Sequence, residues 1–136
     1  MRGKQPILLV EDDEVDAMTV KRALNELRVT NRIDEAGNGE DALAFLRDPQ
    51  NGRPGIILLD LNMPRMNGIE FLRAVKQDEE LKSIPVVVLT TSTEEQDRVE
   101  SFDLGIAGYM IKPVDYRQFV DVVRTIDLYW TLSELP

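Results

Sequence analysis

Five short apolar runs recur along the chain and predict the strands of one sheet. The runs are Pro6–Val10, Arg32–Ala36, Gly55–Leu61, Ile84–Thr90 and Gly108–Ile111. Three of them, which contain ILLV, GIILLDL and PVVVLTT, are almost continuously apolar, which is typical of parallel strands covered on both faces. The run RIDEA alternates apolar and polar residues, and this pattern favours an edge of the sheet.

Between these runs, apolar residues recur at three- and four-residue spacing, which predicts helices with one buried face. The helical positions are Ala17, Val20, Leu24 and Leu27; Ala42, Phe45 and Leu46; Ile69, Leu72 and Val75; and Phe119, Val122, Val123, Ile126 and Trp130. The segment Thr93–Leu104 offers few apolar anchors, so we expect a loosely held fourth helix there. This strand–helix alternation predicts an α/β fold, a parallel sheet with helices on both faces.

Composition narrows the class of protein. With 136 residues, 43% of them hydrophobic, residues 1–136 are expected to form one globular domain. There is no Cys and no His, which excludes disulfides, imidazole triads and ordinary zinc sites. We find no membrane-spanning run and no signal peptide, and a cytoplasmic location fits. The net charge of −9 argues against binding to nucleic acid.

Four of the five predicted strands end at residues with ligating or reactive side chains. These residues are Glu11 and Asp12, Asp60, Thr90 and Lys112. Because the carboxyl ends of parallel strands lie along one edge of the sheet, we expect these residues to converge. Three carboxylates roughly 5 Å apart would repel by about 3 kcal/mol per pair at an effective dielectric near 20. A hard divalent cation, Mg²⁺ or Mn²⁺, would relieve that repulsion, and the oxygen-only donors suit it.

The same residue types can support phosphoryl transfer. A metal-bound carboxylate can accept a phosphoryl group, and a Thr hydroxyl and a Lys ammonium can donate hydrogen bonds to its oxygens. Each residue alone also has an ordinary explanation. Acids after a strand are common helix N-caps, Asp60 could belong to a turn, Thr90 could be a plain strand residue, and Lys112 a solvated charge. Their joint occurrence at four strand ends favours the functional interpretation.

The motifs LLVED, LLDLNMPRMNG, VVVLTTS and YMIKP resemble those of the receiver domains of two-component response regulators. They occur in the family's order and spacing from about Pro6 to Trp130. The resemblance implies a flavodoxin-like, doubly wound, five-stranded parallel sheet of order 2-1-3-4-5 with five helices in a single domain. It further implies that Asp60 is the phosphoacceptor and that Mg²⁺ is held by Asp12, Asp60, the carbonyl of Asn62 and, mostly through water, Glu11.

The resemblance also assigns the residues that respond to the phosphoryl group. Thr90 and Lys112 match the hydroxyl and ammonium that read it, and Lys112–Pro113 is expected to be a cis peptide. Tyr109 matches the aromatic residue that turns inward when Thr90 moves, although it could be an ordinary half-buried strand tyrosine. Asp13 follows the acidic pair at a variable position and is a candidate cap for the first helix.

The C-terminal sequence LYWTLSELP resembles the tail of stand-alone response regulators associated with phytochrome-type histidine kinases. The expected partner is therefore a sensor histidine kinase, of this or another class, and the signal is expected to leave through protein contacts. Residues 128–136 form an apolar extension of the last predicted helix. It predicts a homodimer through the fourth helix, fifth strand and fifth helix, anchored by Tyr129, Trp130 and Leu132. Alternatively, Trp130 folds back and seals the domain's own core.

Two other classes of protein compete with a phosphorylated switch, which is itself not an enzyme beyond self-catalysed phosphotransfer and autodephosphorylation. A dehalogenase-like phosphohydrolase also uses an Asp at a strand end, but it normally carries a second acid where this chain has Asn62. A pseudo-receiver would keep the fold as a constitutive interaction module. Pseudo-receivers usually lose the acceptor, the acidic pair or the Lys, and all of these are present here.

Overall fold

Five parallel strands form one sheet in the computed structural model of this chain, in the order β2-β1-β3-β4-β5. The structure describes residues 5–61, 68–90, 106, 108–113 and 115–132. The strands are β1 (Ile7–Val10), β2 (Ile33–Ala36), β3 (Ile56–Asp60), β4 (Val86–Thr90) and β5 (Gly108–Ile111). All five predicted strands and their order are therefore confirmed.

The described helices lie where the apolar spacing predicts them. They are α1 (Glu14–Glu26), α2 (Gly39–Arg47), α3 (Gly68–Gln77) and α4 (Tyr116–Leu132), and a short 3₁₀ turn covers Pro49–Asn51. The predicted helix at Thr93–Leu104 lies outside the described residues, so α4 is the last of the five predicted helices. It runs into the predicted apolar extension as far as Leu132.

Short polar side chains start three of these helices by accepting hydrogen bonds from backbone N–H groups that lack helical partners. Asp13 caps α1 by accepting from the N–H groups of Val15 and Asp16. Asn38 accepts from the Asp41 N–H at the start of α2, and Asp115 caps α4 in the same way. The cap predicted for Asp13 is confirmed, and it fixes the start of α1 directly after the acidic pair.

The central strands are buried on both faces, which explains their almost continuous apolar sequence. Alternate residues of each strand enter two separate cores. Leu8, Ile57 and Val88 pack with α2 and α3 on one face, whereas the neighbouring residues pack with α1 and α4 on the other. This alternation fixes the register of the strands, because a one-residue slip would turn each side chain toward the opposite core.

The outer strand β2 shows the expected polar character of a sheet edge. Its side chains form surface ion pairs, with Arg32 3.2 Å from Asp34 and Glu35 3.0 Å from Lys21 of α1. Charged side chains at an edge disfavour pairing with another sheet. Among the described helices, none is both long and apolar enough to cross a lipid bilayer.

Gly68 brings the start of α3 into close contact with the end of β3. Its N–H donates to the Leu61 carbonyl at 3.0 Å. A Cβ atom at Gly68 would lie 2.5 Å from Leu61 Cα and 2.9 Å from the Asp60 carbonyl oxygen. These are backbone atoms, so no side-chain rotation could relieve the clash, and a larger residue would displace either α3 or the strand end that carries Asp60.

The substitution Gly68→Ala is expected to lower the free energy of unfolding by about 1–3 kcal/mol, the usual cost of overpacking. Gly37→Ala is the matched control, because a Cβ there meets nothing within 4 Å. We expect the control to change stability by no more than about 0.5 kcal/mol. Urea unfolding of both variants measures the difference, and equal stability of the two would contradict the close approach at Gly68.

Candidate functional site

Three carboxylates meet at the carboxyl edge of the sheet. Glu11 and Asp12 directly follow β1, and Asp60 is the last residue of β3. One oxygen from each of the three carboxylates lies within 4.8 Å of the others. Glu11 is buried, Asp60 is half-buried and Asp12 is exposed. The structure thus places these three predicted site residues together, although 49 positions separate Glu11 from Asp60 in the sequence.

Lys112 brings a positive charge to this cluster from the loop after β5. Its Nζ donates to Glu11 Oε2 at 3.1 Å, across 101 positions of the sequence. The side chains of Lys112 and Glu11 are only 12% and 2% exposed. The ammonium also lies 3.8 Å from Asp16 Oδ2, on the first turn of α1. Lys112 therefore ties β5 to β1 through a nearly buried ion pair.

Burial controls the protonation of Glu11. Loss of solvent raises the pKa of Glu11 to about 7, with the charge of Asp60 adding to the shift and the ammonium of Lys112 opposing it. Its two oxygens already accept hydrogen bonds, Oε2 from Lys112 and Oε1 from the Asp13 N–H at 3.3 Å. Glu11 thus helps to hold the cluster in shape.

Lys112 remains charged in this setting. Burial alone would lower the pKa of its ammonium, but the carboxylates of Glu11, Asp60 and Asp16 outweigh that effect and raise the pKa. The positive charge of Lys112 therefore acts on Asp60 as well as on Glu11. This is the arrangement that an anionic group on Asp60 would require.

The donor set fits a hard divalent cation. Glu11, Asp12 and Asp60 offer carboxylate oxygens alone, the ligands that Mg²⁺ and Mn²⁺ prefer. Because both oxygens of Glu11 already accept hydrogen bonds, Asp12 and Asp60 are the better direct ligands. Asn62, whose carbonyl is expected to complete the site, lies outside the described residues.

The backbone brings two further predicted residues to the same region. Thr90 ends β4, where it pairs with Ile111 of β5, and its neighbour Leu89 pairs with Asp60. Tyr109 lies on β5 opposite Val88. The side chains of Thr90 and Tyr109 are outside the described part of the structure, so their predicted roles stay predictions.

Two features of the site differ from the sequence-based expectation. The Lys112–Pro113 peptide bond is trans, so the expected cis bond is wrong; the trans form of an X–Pro bond is favoured by about 0.5–1 kcal/mol, and Lys112 reaches Glu11 without the cis form. The contact between Asp16 and Lys112 was missed. Its only signal in the sequence is that Asp16 lies in the first helical turn after the acidic pair.

A cleft of about 450 Å³ adjoins the site between α1 and α4. Asp16 of α1, Lys112 and Tyr116 of α4 are among the residues that line it. The guanidinium of Arg22 packs over the Tyr116 ring, 4.3 Å from its centre. Lys112 therefore separates the carboxylate cluster from an open, partly polar space.

Comparison with known proteins places the chain in a family. Residues 7–124 match the response regulator receiver domain. The chain is 40% identical over 127 residues to the probable methanogenesis regulatory protein FilR2 of Methanothrix harundinacea, a match that covers 91% of this chain and 82% of that protein. It is 38% identical over 128 residues to the response regulator Rcp1 of Synechocystis, with 91% and 87% covered.

Solved structures agree with these sequence matches. The phosphorylated cyanobacterial phytochrome response regulator RcpA has a TM-score of 0.86 at 37% identity and covers 98% of both chains. The Mn²⁺-bound form of Rcp1 has a TM-score of 0.83 at 37% identity, with 93% of this chain and 94% of that one covered. The sheet order, the strand-end carboxylates and these matches show that the chain belongs to the response regulator receiver domain family. Members of this family are signalling switches and not conventional enzymes.

The carboxylate cluster is expected to bind one divalent cation, with Asp12 as a direct ligand. Titration of the protein into Mn²⁺, followed by electron paramagnetic resonance of the free ion, measures the affinity. The variant Asp12→Ala should bind at least about tenfold more weakly, the scale seen when a metal site loses a supporting residue.

Asp13→Asn is the matched control for this titration. It removes a neighbouring carboxylate but preserves the helix cap, because Asn caps a helix as well as Asp does. We expect its affinity for Mn²⁺ to remain within about threefold of the wild type, as an exposed charge outside the coordination shell contributes little. Unchanged binding by Asp12→Ala would remove Asp12 from the metal site.

Proposed function

We propose that this protein is a phosphorylation-controlled signalling switch that accepts a phosphoryl group on Asp60 from the phosphohistidine of a sensor histidine kinase. One observation carries the proposal: the carboxylate of Asp60 clusters with those of Glu11 and Asp12, and a nearly buried ammonium, that of Lys112, joins this cluster through Glu11. An acid between a cation site and a lysine is suited to hold a transferred phosphoryl group, whose charge is about −1.5 to −2.

Asp60 would act as the nucleophile. One of its carboxylate oxygens forms a bond to phosphorus as the P–N bond of the donor breaks, and the imidazole leaves with the electron pair and takes up a proton from water. Asp12, Asp60 and the Asn62 carbonyl would hold Mg²⁺, with Glu11 orienting bound water. When bound, the cation supplies positive charge that offsets the repulsion between the incoming phosphoryl group and the carboxylates.

Lys112 and Thr90 would then respond to the phosphoryl group. The Lys112 ammonium and the Thr90 hydroxyl donate hydrogen bonds to its oxygens, and Tyr109 turns inward as Thr90 moves. A phosphoryl group would thereby shift an equilibrium between two arrangements of the same chain. The helix predicted at Thr93–Leu104 is expected to take part, because its sequence offers few apolar anchors and weakly held elements rearrange at the lowest cost.

Each of the two alternatives is less well supported. A dehalogenase-like phosphohydrolase loses its basis, because the chain matches the receiver domain over residues 7–124. A pseudo-receiver would have no need for a cluster of three carboxylates beside a nearly buried lysine, since burying these charges costs free energy that the Glu11–Lys112 ion pair offsets only in part. A phosphorylated switch accounts for the carboxylate cluster and for the lysine, because the first would hold a cation and the second would contact the phosphoryl group.

Treatment with a small acyl phosphate and Mg²⁺ is expected to add one phosphoryl group to the wild type and none to Asp60→Asn. Intact-mass spectrometry shows the added mass directly. Asp13→Asn again serves as the control, because it removes a nearby acid without touching the proposed acceptor, and it should be labelled like the wild type. Undiminished labelling of Asp60→Asn would place the acceptor elsewhere in the chain.

The proposed partners are a sensor histidine kinase, of the phytochrome type or another class, and a second copy of this chain. The kinase is supported by similarity to RcpA, a phytochrome response regulator. Cytoplasmic location and the absence of a nucleic-acid partner belong to the same proposal, the latter supported by the net charge of −9.

The homodimer would use β5, α4 and the predicted helix at Thr93–Leu104. Support comes from two large apolar side chains on these elements, Ile111 and Leu128, which are 38% and 56% exposed. The predicted anchors Tyr129, Trp130 and Leu132 lie on the last turns of α4, and their side chains are outside the described part of the structure.

Light scattering over a range of concentrations tests the dimer. We expect the wild type to dimerise and Leu128→Gln to dimerise more weakly, because Leu128 is exposed in the single chain and would be covered in the dimer. Met18→Gln is the control, since Met18 is 65% exposed but lies on α1, away from the proposed face. A wild type that stays monomeric with and without a phosphoryl analogue would rule the dimer out.

A further inference from the structure

Lys112 lies between two carboxylates that differ in their surroundings. Its Nζ is 3.1 Å from Glu11 Oε2 and 3.8 Å from Asp16 Oδ2. The Glu11 side chain is 2% exposed, whereas that of Asp16 is 53% exposed. Lys112 thus has one acceptor inside the carboxylate cluster and a second on the solvent side of α1.

Open space adjoins the contact between Asp16 and Lys112. Asp16 and Lys112 both border the cleft of about 450 Å³ between α1 and α4. On the other side, the charge of Asp60 acts on the same ammonium. Rotation about its side-chain bonds can shift a lysine ammonium between neighbouring acceptors without movement of the backbone.

We propose that Asp16 is a positioning residue that competes with the phosphorylated Asp60 for the ammonium of Lys112, and so sets how readily the switch turns on. The inference rests on the function proposed above. In the unphosphorylated chain, Asp16 draws the ammonium toward the cleft. A phosphoryl group on Asp60 carries more charge and draws it back.

The strength of the contact suits this role. An exposed ion pair at 3.8 Å is weak, because solvent screens it and the side chains lose freedom in forming it. Asp16 would therefore bias the position of Lys112 without trapping it. Glu11 cannot provide the same bias, since its carboxylate is buried and also accepts from the Asp13 N–H.

The affinity for beryllofluoride, a phosphoryl analogue, at saturating Mg²⁺ tests the inference, with ¹⁹F nuclear magnetic resonance as the readout. Asp16→Asn is expected to bind the analogue about two- to fivefold more tightly than the wild type, the range for loss of one exposed ion pair. Asp16→Glu keeps the charge and should restore an affinity near that of the wild type, which a purely structural role of Asp16 would not predict.

Glu14→Gln is the matched control, because Glu14 is an exposed acid on the same helical turn and forms no described contact with Lys112. Its affinity should stay near that of the wild type. Equal tightening by Glu14→Gln would mean a general effect of charge and would overturn the role of Asp16, as would unchanged or weaker binding by Asp16→Asn. Asp60→Asn separates the two proposals: absence of binding to the wild type, or binding that survives Asp60→Asn, would instead overturn the proposed function.

Discussion

Repulsion between carboxylates gathered at one edge of the sheet is the constraint on which the rest of the site depends. The chain places Glu11, Asp12 and Asp60 within reach of a single ion, and part of this charge is removed from water. The nearly buried ion pair between Glu11 and Lys112 offsets some of the cost and joins the first strand to the last. The remaining negative charge would favour a divalent cation, which would in turn reduce the repulsion between Asp60 and an anionic phosphoryl donor.

The fold supplies the rigidity that this arrangement needs. Two apolar cores hold β3 from both sides. They thereby fix the position of Asp60, the last residue of this strand, at the carboxyl edge of the sheet. Gly68 lets α3 begin directly against the backbone of Asp60 and Leu61. The Asp13 cap fixes the first turn of α1, which carries Asp16 to Lys112. Packing, a close backbone contact and a helix cap thus position the elements around the cluster.

The sequence predicts most of this fold because central strands that are buried on both faces have an almost continuously apolar sequence. The runs around Ile57 and Val88 are almost continuously apolar, which is typical of a parallel strand covered on both faces. The convergence of Glu11, Asp12 and Asp60 follows from the rule that parallel strands end at one edge. The contact between Asp16 and Lys112 could not be predicted in this way, because it depends on how α1 is rotated about its axis. The trans bond before Pro113 was not predicted either, because the cis and trans forms of an X–Pro bond differ little in free energy.

X-ray diffraction from crystals of the protein soaked in Mn²⁺, recorded at a wavelength where manganese scatters anomalously, tests the central claim most directly. The account predicts one strong anomalous peak between the carboxylate oxygens of Asp12 and Asp60, with the Lys112 ammonium still against Glu11. A peak that lies away from these two carboxylates, or no peak at millimolar Mn²⁺, would contradict the claim that this cluster is a cation site that prepares Asp60 for phosphorylation.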